Sequence, residues 1–178
     1  MKTILLAFSM LLSLNAISQT SATTSHRYDV TTDSKTGYTI YKGPVTIDEL
    51  RREPNFSWMK KADGYQADRE AVEFLGKYLP KYQLLVFLGT WCTDSHKLIP
   101  KLVRVLEDAH ATGRLTMYGV DRDKWSGNGE NKKYSITSVP TFIILKEGKE
   151  IGRITENPNE SIETDLSWII DRDMRASR

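Results

Sequence analysis

The chain has 178 residues, 25 Lys and Arg against 23 Asp and Glu for a formal net charge of +2, and a single cysteine. A near-neutral balance with no long basic stretch interleaved with aromatics offers no nucleic-acid surface, and one cysteine excludes an internal disulfide framework. His26, His96 and His110 are scattered, form no HxxxH pair, and stand beside neither GxGxxG nor GxxxxGK[ST], so neither a metal nor another cofactor is expected.

Met1 to Thr3 lead into an apolar run, Ile4 to Leu14, and Ala16-Ile17-Ser18 supplies a small-x-small cleavage site. Residues 1–18 are therefore predicted to be a signal peptide. The run is too short to span a bilayer unaided, and no cysteine follows it to take a lipid. The mature protein is expected to be exported, periplasmic or secreted, without stable membrane insertion; an uncleaved anchor is the alternative. Lys2 is the only charged residue removed, so the mature net charge is about +1, and the remaining chain is long enough for one domain with a real core.

Residues 19–65 are expected to form a leader and an N-terminal extension, and residues 66–178 the main domain. Residues 19–37 are rich in Ser and Thr, and Asp33-Ser34-Lys35-Thr36-Gly37 is a turn-like cluster at the end of a loose leader. Tyr38 to Tyr41 alternates as a short strand that Gly43-Pro44 would end. Thr46 is an N-cap candidate for one or two helical turns over Ile47 to Arg52, before Pro54. Phe56, Trp58 and Met59 are expected to pack this extension onto the main domain.

From Ala67 the apolar positions Ala71, Val72, Leu75, Tyr78 and Leu79 recur at helical spacing until Pro80. Leu84 to Leu88 is a continuous apolar run of strand length, the pattern of a strand covered on both faces. Leu98, Ile99, Leu102, Val103, Leu106 and Ala109 give a second helical stripe. Leu115 to Val120 and Thr141 to Leu145 read as buried strands, and Glu147-Gly148-Lys149 as a hairpin turn leading to a strand over Glu150 to Thr155. Ile162, Leu166, Trp168, Ile169 and Ile170 form a last helical stripe. This alternation predicts an α/β domain with a mixed central sheet and helices on both faces.

Cys92 lies just past the end of a central strand, at the first turn of the next helix, where unpaired N–H groups and the positive end of the helix dipole favour an anion. Such positions, with neighbouring cations, lower a cysteine pKa into roughly the 3.5 to 7.5 range; His96 and Lys97 are close in sequence, with Asp94 opposing them. Two readings stand at this point, a reactive thiolate and a small buried hydrophobe.

Over about residues 66–172 the sequence resembles the thioredoxin superfamily. Trp91-Cys92 followed by Ser95 is similar to the family's WCxxC with its second cysteine replaced. Pro100 matches the proline of the family's active-site helix, and Tyr134, Ile136, Val139-Pro140-Thr141 and the Gly148 turn fall at family spacing. The closest resemblance is to extracytoplasmic bacterial thioredoxin-like proteins. It implies a thioredoxin-like fold, a cis peptide before Pro140 facing Cys92, and a peptide-binding rim of Trp91, Thr93, Asp94, Val139 and Thr141. The departures bear on chemistry: the family's buried Asp is Val86 here, its partner Lys is Met117, and Lys124 to Glu130 is longer than in a minimal member.

With one thiol, Cys92 can attack a disulfide but Ser95 cannot resolve the mixed disulfide. Ser95 is expected either to hydrogen-bond the thiolate or to serve as a helix-start hydroxyl. The reading is monothiol thiol–disulfide exchange, by isomerisation or mixed-disulfide chemistry, with protein or small-molecule thiols and disulfides as partners. The alternative is a redox-silent binding module with a groove formed by Trp91, Val139 and Thr141. A peroxide-reactive cysteine would call for PxxxTxxC, which is absent.

Overall fold

The computed structural model describes residues 27–177, so the signal-peptide expectation for residues 1–18 lies outside the described residues. Six strands form one sheet in the order β1-β2-β4-β3-β5-β6. The strands are β1 (Asp29–Thr32), β2 (Thr39–Val45), β3 (Gln83–Leu88), β4 (Leu115–Gly119), β5 (Thr141–Lys146) and β6 (Lys149–Thr155). Only β3 and β4 are parallel; every other neighbouring pair is antiparallel. The sheet is therefore mixed, as the alternation of elements requires.

The period-2 geometry of β3 and β5 sorts their side chains into two cores. Leu84, Val86, Leu88, Phe142 and Ile144 face the larger cluster. Covering it are the helices α2 (Arg69–Tyr78), α3 (Thr93–Asp108) and α5 (Ile162–Ala176), which pack on one another as well. Leu85, Phe87, Ile143 and Leu145 face a smaller cluster with Val120, Ile136 and Val139. Tyr134 packs against that cluster from just after α4 (Glu130–Lys133), a single turn that follows the lengthened Lys124–Glu130 stretch and was not predicted. Helices flank the sheet unequally.

The N-terminal part differs from expectation in two ways. Asp29–Thr32, read as loose leader, is a strand paired with β2, and Asp33–Gly37 is the turn between them. Gly43-Pro44 does not end β2 but carries it across to β4, through the pairs Gly43↔Gly119, Pro44↔Tyr118 and Val45↔Met117. Thus β2 pairs with β1 over its first part and with β4 over its second. The crossing is tight: a Cβ built on Gly119 would lie 2.2 Å from the Tyr41 carbonyl oxygen, so only glycine fits.

Helix α1 (Ile47–Arg52) starts as predicted at Thr46, whose hydroxyl accepts the Glu49 N–H while Glu49 accepts the Thr46 N–H, a closed capping box. Phe56, Trp58 and Met59 are buried in the larger core, as predicted. Trp168 is not: placed in the α5 stripe, it is 52 % exposed. Among the described residues no helix is long and apolar enough to cross a membrane.

Candidate functional site

β3 runs apolar to Leu88 and delivers the chain through Gly89 and Thr90 to Trp91 and Cys92. Cys92 is the N-cap of α3, with extended backbone angles (φ −93°, ψ 124°), and the helix begins at Thr93. Its N–H donates to the Gly89 carbonyl at 2.9 Å and its carbonyl accepts the His96 N–H at 3.0 Å, so the loop and the first turn are one closed unit. The sixteen-residue helix points its positive end at the residue carrying the sulfur.

Opposite stands the segment entering β5. The Val139–Pro140 bond is cis, and the half-buried Cys92 Sγ donates to the Val139 carbonyl at 3.2 Å. Trp91 lies alongside: its indole N–H donates to the Val120 carbonyl at 2.9 Å, and Arg122 stands 4.8 Å from its ring centroid. Arg122 also bonds Asp33 of the β1–β2 turn, holding the Asp33 carboxyl well below the usual carboxylate range.

The predicted site residues divide accordingly. Trp91, Cys92, Val139 and Pro140 converge on the thiol. Thr93 is exposed on the first turn, and Asp94 is half-buried in an ion pair with Lys97 at 3.0 Å. Of the two readings of Ser95, the structure shows a hydroxyl at the start of α3 that serves the backbone: it is fully buried, and its Oγ accepts the Gly89 N–H at 3.2 Å rather than bonding the sulfur. Thr141 is buried too, with its hydroxyl donated to the Ser138 carbonyl at 2.7 Å, which removes it from the surface rim.

The expected cationic neighbours do not attend the thiol. Lys97 is spent on Asp94. His96 donates Nε2–H to the Thr90 carbonyl at 2.7 Å and stacks on Trp58, with centroids 4.6 Å apart and planes 15° from parallel. Burial pushes the His96 pKa below its ordinary value, outweighing the Thr90 hydrogen bond, so the ring is neutral near pH 7. The positive feature beside the sulfur is the α3 N-terminus rather than a side-chain cation.

Three features had no local signal in the sequence. Thr90 is tied to β2 by contacts 49 and 51 residues distant, and the Trp58–His96 stack and the Arg122–Trp91 contact are equally non-local. Among the described residues no group of three or more His, Cys, Asp or Glu side chains is placed to hold a metal ion.

Comparison with known proteins places this geometry in context. The family model described as Thioredoxin matches residues 73–167. A thioredoxin of Echinococcus granulosus is 34% identical over 89 residues, covering 50% of this chain and 78% of the relative. A TPR repeat-containing thioredoxin of Arabidopsis thaliana is 29% identical over 101 residues, covering 57% of this chain but only 25% of that longer protein. Among solved structures, Fasciola hepatica thioredoxin aligns with a TM-score of 0.39 and 27% identity, covering 58% of this chain and 88% of that one.

Proposed function

We propose that this chain, which belongs to the thioredoxin family, acts in thiol–disulfide exchange through one nucleophile, Cys92, with a second thiol supplied from outside the protein. The observation that carries the reading is the placement of the only sulfhydryl at the N-cap of α3, beside the Val139 carbonyl.

In the first step the Cys92 thiolate attacks one sulfur of a disulfide R–S–S–R′. The Cys92–S–S–R bond forms, the S–S bond of the substrate breaks, and R′–S⁻ leaves with the electron pair and takes a proton from water. A thiolate from the same substrate, or from a small thiol, then attacks the mixed disulfide and releases Cys92. When the substrate supplies that thiolate the outcome is isomerisation, with no net oxidation. Ser95 has no sulfur, and its oxygen is held by the Gly89 N–H. The exchange therefore has no internal resolving step. Trp91 is proposed to form the rim against which the substrate chain lies; the Val139 side chain, like Thr141, is buried. On the reading of residues 1–18 as a signal peptide, the setting is periplasmic or secreted, where disulfides persist.

The alternative, a redox-silent binding module, draws support from the Cys92–Val139 hydrogen bond, which stabilises the protonated thiol. One experiment separates them. Wild type, Cys92→Ser and Ser95→Cys are incubated with a disulfide-bonded protein, quenched with acid and weighed intact. The exchange reading expects, with no small thiol added, a persistent adduct on wild type and none on Cys92→Ser, whereas Ser95→Cys reduces insulin stoichiometrically and is recovered with an internal disulfide. A wild type without adduct, joined by an inactive Ser95→Cys, favours the binding module.

A further inference from the structure

Two backbone groups of β2 are bonded by a side chain rather than by β4. β2 pairs with β4 only over Gly43–Val45, so the Thr39 carbonyl and the Tyr41 N–H lie beyond the end of that ladder. Left buried without partners, such groups are costly. One side chain takes both: the Thr90 hydroxyl accepts the Tyr41 N–H at 3.1 Å and donates to the Thr39 carbonyl at 2.8 Å. A hydroxyl is donor and acceptor at once, so here it stands in for the missing peptide group of a neighbouring strand.

Thr90 lies two residues before Cys92 and is only 2 % exposed. Its own carbonyl accepts the His96 Nε2–H at 2.7 Å, and the His96 ring is clamped by Trp58. The loop bearing the sulfur is thus pinned on two sides: by side chain to β2, and by backbone to the first turn of α3. The β2 side cannot shift inward, because the Tyr41 carbonyl already abuts Gly119. Both anchors, β2 and Trp58, lie outside the residues 73–167 matched by the family model.

We propose that Thr90 is a positioning residue for Cys92, holding the Gly89–Cys92 loop so that the sulfur keeps its place at the α3 N-terminus, and that the N-terminal hairpin thereby belongs to the working site. This rests on the reading of Cys92 as a nucleophile. Thr90 touches no substrate. It acts through the Trp91 and Cys92 backbone, where a displacement of about 1 Å is enough to change a rate severalfold or more.

The test measures the second-order rate of Cys92 alkylation by iodoacetamide from pH 6 to 9 in wild type, Thr90→Val and Thr90→Ser, with amide hydrogen exchange at Tyr41 followed in parallel. Valine keeps the shape and removes both hydrogen bonds; serine keeps the hydroxyl. The expected result is a displaced pH–rate profile for Thr90→Val, about tenfold slower near neutrality, with faster Tyr41 exchange, and a Thr90→Ser profile close to wild type. His96→Phe, which keeps the stack on Trp58 but not the donor to Thr90, is expected to move the profile the same way by a smaller factor, and it decides the matter should Thr90→Val not fold. Profiles for folded Thr90→Val or His96→Phe that superimpose on wild type overturn the inference alone. A wild-type Cys92 inert to iodoacetamide across the range overturns the exchange reading, and this inference with it.

Discussion

On β3, six residues before the thiol, Val86 is fully buried beside Met117 of β4, with which it is in register, and the centre of the sheet carries no charge there. At the seam between α2 and α5, two carboxylates, Glu163 and Asp165, are almost as deeply buried. The difference lies in the supply of donors. Glu163 accepts from the Tyr65 hydroxyl and the Asp68 N–H, each at 3.0 Å, and Asp165 accepts from Asn159 and Glu160 backbone N–H groups at 2.7 and 3.2 Å. Both also sit in the first turn of α5, where the helix dipole favours negative charge. Burial of a carboxylate is tolerated where backbone geometry already offers N–H groups, and β3, whose N–H groups serve the ladders on either side, offers none.

The largest expected effect comes from imposing charge on the apolar region. Val86→Asp is predicted to lower stability by about 4 kcal/mol at neutral pH, with partial recovery on adding Met117→Lys. Urea unfolding checks both, and a loss below about 1 kcal/mol would break the contrast. Removing charge from the seam comes next. Glu163→Ala strands the Tyr65 hydroxyl and the Asp68 N–H, at a cost of about 3 kcal/mol, or a fall in melting temperature of roughly 6–12 °C. Glu163→Gln retains an acceptor and should lose less. Neither change at Glu163 should alter the alkylation rate of Cys92, a readout that distinguishes scaffold from site.

The smallest effect concerns His96, the buried titratable group next to the thiol loop. Its folded pKa lies below its ordinary value because burial disfavours the cation. As pH falls through about 6.5, the unfolded chain takes up the proton first, so folding loses stability until the lower folded pKa is passed, then levels. The ring is only half-buried, so screening limits the loss to a few tenths of a kcal/mol. Chemical denaturation of wild type and His96→Gln at pH 7.5 and 5 should show the slope in the first and a flatter response in the second.

Much of the fold was legible because its signals are local. The Leu84–Leu88 run, the α3 stripe and the Glu147-Gly148-Lys149 turn each announce an element without reference to the rest of the chain. β1 did not announce itself: all four of its residues are exposed, so an edge strand of this kind carries no apolar alternation to read. Pro44 misled for a related reason. Proline ends most strands, but Pro44 is the middle pair of the short β2–β4 ladder and lies past Lys42, where the pairing with β1 stops. At the site, Trp91, Cys92 and Pro140 follow from motif spacing. The burial of Ser95, the neutrality of His96 and the role of Thr90 do not, since each is decided by what folds against it. Trp168 shows the same limit from the other side, because an apolar residue at helical spacing need not find a partner.

The meeting of Gly119 with Tyr41 has a consequence for mutational tolerance. In a saturation library of this chain, Gly64 and Gly113, with open space where a side chain would grow, should accept many residues and leave little trace of selection. Position 119 should be a column of one letter. Because a side chain there would displace the strand that bonds Thr90, that intolerance would extend to variants that still fold, marking a glycine far from the sulfur in sequence as one on which its reactivity depends.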